Sequence, residues 1–242
     1  MPRFFVESVE SDRVTVAGQD AAHIRRALRM RVGEEITLCD GNGTDAFGEI
    51  AAFGDDTVEV AVRERHPSVS EPTIAVTLYQ GLPKGDKLEW IIQKAVELGV
   101  TTVVPVETAR SVATMAGDAA KAAKKAARWQ KIAEEAAGQS GRGRLPRVES
   151  PLTWKQALSR MAGERLIVLY EGGGQPLSAL VSRETRQVSL LVGPEGGWAP
   201  EEIETLTQLG AQAATLGKRI LRCETAPLAA LAAVMTLTGN ME

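Results

Sequence analysis

The amino-acid sequence predicts an α/β protein in two parts: a small β-rich N-terminal region and a larger region on a mainly parallel sheet. Three observations carry this. Over residues 1 to about 70, apolar positions fall at period two or in compact β-rich runs. HPSVSEP (66–72) then has the Pro/Ser composition of a linker. Beyond it strands alternate with helices, the pattern of a parallel sheet with crossover helices. A chain of 242 residues holds enough core material for one large domain or two smaller ones.

The N-terminal strands are RVTVA, EEITLCD, DAFGEIAAF and TVEVAVRE. A helix with Asp20 as N-cap, ending by Gly33, interrupts them. DGNG (40–43) reads as a hairpin turn because Asn and Gly tolerate positive φ. Together these describe a small β-barrel carrying a basic helix.

After the linker, TIAVTLY is a buried strand, and GLPKGDKLEWIIQKAVELG is a loop and a helix. Asp86 can cap that helix, Leu88, Ile91, Ile92, Ala95 and Leu98 form its apolar stripe, and Gly99 ends it. The strand VTTVVPV follows, then an Ala/Lys helix from about 118 to 137 and the basic loop QSGRGRLPRV. Next come a helix near 153–162, the strand RLIVLY, a helix near 176–184 and the strand VSLLVG. A helix from Pro200 to Leu209, the strand AQAATLG and a helix from Pro227 to Thr238 close the chain. Thr225 can cap the last helix, which is apolar around much of its circumference and so is buried in the fold or in a dimer.

Composition excludes several classes. The apolar and charged fractions, 44% and 24%, are those of an ordinary soluble protein. No apolar run reaches membrane-spanning length, and MPRFFVESVE lacks a signal peptide's layout. Cys39 and Cys223 read as reduced thiols, and with His23 and His66 they form no familiar zinc spacing. The expectation is a cytosolic, metal-free protein. Net charge is −3, yet Lys121 to Arg147 holds eight bases against Glu134 and Glu135. HIRRALRMR packs His23, Arg25, Arg26, Arg29 and Arg31 together. Such patches on an acidic protein are either a phosphate-backbone footprint or solvated helix faces.

In open α/β sheets ligands sit beyond the carboxyl ends of the strands. Here three consecutive strand ends run into suggestive loops: RLIVLY into EGGG (171–174), VSLLV into GPEGG (193–197), and AATL into GKRILRCETA (217–226). Dinucleotide and P-loop fingerprints are absent from the sequence. GQSGRG (138–143) has Arg142 where a nucleophile elbow needs glycine. Glu195 would put like charge inside a phosphate site, whereas a cationic ligand such as S-adenosylmethionine has no such conflict. The alternative for Glu195 is a carboxylate near the following helix start, beside Glu201 and Glu202.

QGLPKGDKLEWIIQKAVELGV, EEAAGQSGR, LVGPEGGW and LGKRILRCETAPLAAL occur in this order in the bacterial 16S rRNA uridine-N3 methyltransferases (the RsmE family), and HIRRALRMRVGEEITLCDGNG is similar to that family's small domain. The resemblance covers nearly the whole chain. It implies a PUA-like β-barrel RNA-binding domain over 1–70 and a SPOUT-type α/β methyltransferase domain with a C-terminal trefoil knot over 71–242. It also implies a homodimer through the knotted domain, with substrate RNA shared between subunits. The implied reaction is methyl transfer from S-adenosylmethionine to N3 of a specific uridine of 16S rRNA in the small ribosomal subunit. A rival reading is an RNA-binding assembly factor that kept the fold and lost turnover.

By motif, the resemblance places the cofactor at Leu169, Tyr170 and Glu171, at Leu191, Gly193, Pro194, Glu195, Gly196 and Gly197, and at Leu216, Gly217, Ile220, Leu221, Arg222, Cys223 and Thr225. Leu216, Ile220 and Leu221 would enclose the adenine. Cys223 stands where many relatives have threonine, and Ala199 where a helix cap is common. Arg110, Arg142 and Arg222 are candidates for holding the uracil anion or its phosphate. Glu224 is either a base or the ion-pair partner of an arginine. Arg3, Arg25, Arg26, Arg29, Arg31, Lys84, Arg142 and Arg144, with the 121–147 bases, are the candidate RNA contacts. Trp129 and Trp154 read as packing residues; Trp198 lies on the cofactor loop.

Overall fold

The alternating apolar residues of the N-terminal region become the inner face of a five-stranded sheet. Its elements are β1 (Arg3–Phe5), β2 (Arg13–Ala17), α1 (Gly18–Ala22, continued by a π-helical turn over His23–Ala27), β3 (Glu35–Cys39), β4 (Thr44–Phe53) and β5 (Thr57–Pro67). The order is β1-β3-β4-β5-β2, with β1 parallel to β3 and the other pairs antiparallel. Phe4, Val14, Val16, Ile24, Ile36, Leu38, Ile50, Val58 and Val60 form its core. Register shifts at Phe47/Gly48 and Ile50/Ala52 add local twist, and the sheet curls into a half-barrel. The hairpin expected at DGNG joins β3 to β4, with Cys39 opposite Asp45.

The computed structural model describes residues 1–112, 114–115 and 118–242. Two compact units emerge: Met1–Glu71 with Ala137–Leu145, and Pro72–Ala136 with Pro146–Glu242. The returning segment of the first unit is tied on by Gly43 N–H donating to Gly143 O (3.0 Å) and Leu145 N–H to Gly41 O (3.0 Å).

Several local expectations change. The first helix starts at Gly18, with no side-chain cap, and Asp20 lies within its first turn. It stops well before Gly33, because Arg29 takes a positive φ of 53°. Part of the expected linker is strand, since β5 continues to Pro67. Arg3 and Arg142, read as RNA contacts, are instead internal to this unit. Arg3 pairs with Asp45 at 2.8 Å and donates to Cys39 Sγ and Arg142 O. Arg142 is only 4% exposed and pairs with Glu71 at 2.8 Å. Spacing gives no sign of this, because a basic loop shows its charge and not its partner.

The second unit contains β6 (Ala75–Gly81), α2 (Lys87–Glu97), β7 (Thr102–Glu107), α3 (Ala119–Gln139, which ends in the first unit), β8 (Arg147–Val148), β9 (Leu152–Thr153) and α4 (Trp154–Met161). It continues with β10 (Leu166–Leu169), β11 (Gln175–Pro176), α5 (Leu177–Leu180), β12 (Gln187–Val192), α6 (Pro200–Gln208), β13 (Gln212–Thr215) and α7 (Thr225–Leu237). The sheet order is β11-β13-β10-β12-β6-β7-β8, with β9 on β7, and every pairing is parallel. The SPOUT-type knotted arrangement is consistent with this order.

Buried α2 residues Leu88, Ile91, Ile92 and Ala95 are the expected stripe. Asp86 and Thr225 make no side-chain cap; Thr225 is already helical. The helix expected near 176–184 shrinks to α5. Thr153 caps α4 through a full capping box with Gln156, an arrangement worth about 1 kcal/mol. At α6 the missing Ala199 cap is partly replaced: Glu202, buried, accepts from Ala199 N–H at 2.9 Å and from Ala109 N–H at 2.8 Å.

Candidate functional site

Strands β13, β10 and β12 are neighbours and parallel, so their carboxyl ends lie side by side. The three loops singled out in the sequence therefore converge, and they enclose a cavity of about 410 Å³. That is the size range of small-molecule sites. Leu169, Tyr170, Glu171, Gly193, Pro194, Glu195, Gly197, Leu216, Gly217, Ile220, Leu221, Arg222 and Cys223 all line it. Leu191, Gly196 and Thr225 do not. Leu191 is wholly buried in the core beneath, Thr225 has entered α7, and Gly196 faces Arg110. Ile220 is on the wall but 84% exposed, so it forms an open rim and does not close over a ring.

The floor is set by close backbone packing. A Cβ on Gly81, at the end of β6, would lie 2.6 Å from Pro194 Cδ, so glycine lets the 193–197 loop sit directly on the sheet. Gln80, fully buried, donates from Nε2 to Gly193 O at 3.4 Å. Gly197 turns the loop with a φ of 68°, and its N–H donates to Pro194 O at 2.9 Å. Trp198 Nε1 donates to Leu169 O at 3.2 Å, which couples two of the three loops. Its ring lies 6.0 Å from that of Trp154 in the core, and Trp129 is buried. Arg110 donates from Nη1 to Gly196 O at 2.8 Å with its side chain exposed.

Glu195 has a specific environment. Its carboxylate accepts from Lys84 N–H at 3.2 and 3.3 Å and from Lys87 Nζ at 2.9 Å. Burial alone would raise its carboxyl, but the Lys87 hydrogen bond and the backbone donors outweigh this and hold it below the usual range. The same ammonium lies 3.3 Å from Glu224 Oε2. Cys223 Sγ donates to Glu224 at 3.1 Å. Burial and that carboxylate push the thiol up to about 12, so it stays protonated. The Cys223 hydrogen bond, ahead of Lys87, holds the Glu224 carboxyl below its ordinary value. Glu224 is thus an ionised ion-pair member whose partner is Lys87, not an arginine, and its lowered pKa makes it a poor proton acceptor.

The sequence reading missed Lys87 and reached Lys218 and Arg219 only as members of the 217–226 loop; all three are on the cavity wall. One signal for Lys87 was available: a cation as the first residue of a helix opposes the helix dipole and needs compensation. Arg25 donates to Asp55 O at 2.9 Å and to Gly54 O, and stacks over Phe53. Arg26, Arg29, Arg31, Lys84 and Arg144 are exposed. Among the described residues no group of three or more His, Cys, Asp or Glu could hold a metal ion, and no helix is long and apolar enough to cross a membrane.

The fold and site define a protein of two units, a half-barrel and a parallel α/β unit, of which the second carries a small-molecule pocket between three loops. Residues 70–235 match the model of an RNA methyltransferase domain, and residues 16–63 that of an RNA methyltransferase PUA domain. The chain is 41% identical to the ribosomal RNA small subunit methyltransferase E of Bacillus subtilis, over 97% of this chain and 96% of that one. It superposes with a TM-score of 0.88 on the corresponding protein of Neisseria gonorrhoeae bound to S-adenosyl methionine, at 35% identity and 98% coverage of both chains. A putative methyltransferase of Legionella pneumophila, in complex with the cofactor SAM, gives 0.85 at 28% identity, over 97% of this chain and 96% of that one. The chain belongs to the RNA methyltransferase family, as its motifs implied.

Proposed function

We propose that this protein methylates N3 of a specific uridine in 16S rRNA of the small ribosomal subunit, with S-adenosylmethionine as donor. The observation that carries the reading is the convergence of the 169–171, 193–197 and 216–224 loops on one cavity of cofactor size. The donor set suits that molecule. Glycine backbone at 193 and 197 allows close approach, Leu216 and Leu221 offer apolar surface to a purine, and Glu171, Glu195 and Glu224 tolerate a cation. S-adenosylmethionine, when bound, supplies an electrophilic methyl group on a sulfonium.

The chain's own residues have two further tasks. Uridine N3 must lose its proton, and the resulting anion must be held in line with the methyl group. Arg110, fixed on Gly196 O, and Arg222, on the cavity wall, are the cations assigned to that anion or its phosphate. Arg142 is withdrawn from this role by its burial. Residues 1–70 are assigned to RNA binding and 71–242 to methyl transfer. A homodimer through the second unit is supported by the exposed Ile220 and by the partly exposed Leu228, Ala229, Ala232 and Ala233 on α7.

RNA is gripped at two sets of bases. Arg26, Arg29 and Arg31 are exposed on the first unit. On α3, Lys121, Lys124, Lys125 and Lys131 fall on one face at helical spacing, largely exposed, with no ion-pair partner among the described residues. The helix end itself is already capped by Asp118, whose carboxylate accepts from Lys121 N–H at 3.0 Å, so it is the four lysines, and not the helix dipole, that a polyanion would complement. Changing these four lysines to glutamine should weaken RNA binding at least about tenfold and flatten its salt dependence by up to about 0.9 per lost phosphate contact. Cofactor affinity should not change. An unaltered salt slope in filter binding would remove α3 from the interface.

The function itself is tested with labelled cofactor and small subunits from a strain lacking the gene, followed by nucleoside analysis. Label in N3-methyluridine is expected. Tight cofactor and RNA binding without methyluridine would instead make the protein an assembly factor.

A further inference from the structure

We infer that Lys87 is a positioning residue that fastens two walls of the cofactor cavity to each other. The inference rests on the reading of that cavity as the S-adenosylmethionine site. Lys87 is the first residue of α2 and belongs to none of the three loops. Its ammonium lies 2.9 Å from Glu195 on the 193–197 loop and 3.3 Å from Glu224 at the end of the 216–224 loop.

The two walls differ in how they are otherwise held. The 193–197 loop rests on the sheet through Gly81 and Gln80 and is joined to β10 by Trp198. The 217–224 segment has no comparable anchorage. Among the described residues, its one polar contact with another part of the chain is the Lys87–Glu224 pair. Its middle is exposed, and its other bonds are local: Cys223 to Glu224, and Arg222 O to the first amides of α7. Lys87 therefore fastens a sparsely anchored wall to a well-anchored one.

The charge arrangement fits this task. A lysine at a helix N-terminus is unfavourable against the dipole, and two carboxylates from different loops offset it. Both carboxylates stay ionised, and the neighbouring Cys223 stays a neutral donor, so the fastening holds across the neutral pH range. Because the three charged groups are part-exposed, with 21 to 35% of each side chain accessible, salt screens the attraction.

The test compares wild type, Lys87→Met and Lys87→Arg by calorimetry with S-adenosylmethionine between about 50 and 500 mM NaCl. We expect wild-type affinity to fall with salt. Lys87→Met should bind about tenfold more weakly at low salt and lose the salt dependence, with kcat at saturating cofactor within about twofold. Lys87→Arg should recover most of the affinity. Glu224→Gln, which leaves Lys87 in place, should reproduce the Met phenotype, and the double variant should be no worse than either single one. Affinity in Lys87→Met equal to wild type at every salt would overturn the inference, as would additive losses in the double variant. If wild type itself bound no S-adenosylmethionine, the reading of the cavity would fail first, and this would be evident before any variant was made.

Discussion

Gly197→Val is expected to weaken S-adenosylmethionine binding at least about 100-fold and to abolish methyl transfer at ordinary cofactor concentrations. Gly197 has a φ of 68°, a conformation that costs an L-residue about 1–2 kcal/mol and a β-branched one more. An added Cβ would lie 3.0 Å from Glu171 Oε1, on a residue that itself lines the cavity. The strain itself is a cost to folding, and the loop shifts to relieve it; that shift and two methyl groups at the wall are what a hundredfold loss, about 2.7 kcal/mol, requires. Gly197 lies beyond the carboxyl end of β12 and not within the strand, so the thermal unfolding midpoint should fall by only a few degrees. Isothermal titration on the folded variant gives the answer, and an affinity within about threefold of wild type would show that the cofactor lies elsewhere. Gly196→Val is a useful companion. Its Cβ would meet Arg110 Cβ at 2.9 Å, so it should disturb that arginine more than the cavity.

Glu71→Ala is expected to destabilise the first unit by about 3–5 kcal/mol, the cost of leaving a buried guanidinium without its carboxylate. Arg142 is 5% and Glu71 12% exposed at the side chain, and Glu71 also accepts from Gly143 and Arg144 N–H at 2.9 and 3.0 Å. One carboxylate thus holds the returning 137–145 segment in three places. Urea denaturation followed by hydrogen exchange should show the first unit opening early, and Glu71→Leu with Arg142→Met should recover much of the loss. The pH dependence has a definite sign. Burial alone would raise the Glu71 carboxyl, but the Arg142 hydrogen bonds and charge, with the two backbone donors, hold it below its ordinary 4.5. Its stabilisation is therefore present above about 4.5 and is lost as pH falls through the lower folded value. The Ala variant should lose less stability than wild type over that acid range. A loss under about 1 kcal/mol would show that the pair is dispensable.

Much of the fold was legible because its signals are local. The strands β6, β10, β12 and β13 are short apolar runs bounded by glycine or charge, and α2 repeats its apolar residues at helical spacing. The two-residue strands β8, β9 and β11 carry too little pattern to be seen, and β1, three residues long, was hidden in the N-terminus. The expected helix through Gly33 failed for a related reason. Its composition is helical, but the positive φ at Arg29 and the turn into β3 are imposed by packing against the half-barrel.

The site divides in the same way. That the EGGG, GPEGG and GKRILR loops follow three strands is a property of the sequence alone. That these strands are neighbours, so that the loops meet, follows from the order β13-β10-β12, which local pattern does not encode. Charge is the clearest case. From the sequence, Arg3 and Arg142 were indistinguishable from Arg26 and Arg31, and Glu195 was an anomaly in a glycine loop. The fold paired the first two with Asp45 and Glu71, left the second pair in solvent, and gave Glu195 the ammonium of Lys87. The sequence by itself determined the type of the longer elements, loop chemistry and family, because backbone propensity and motif are written along the chain. Only the tertiary structure decided which charges are paired. Pairing depends on distances of a few ångströms between residues as far apart as 71 and 142, or 87 and 224.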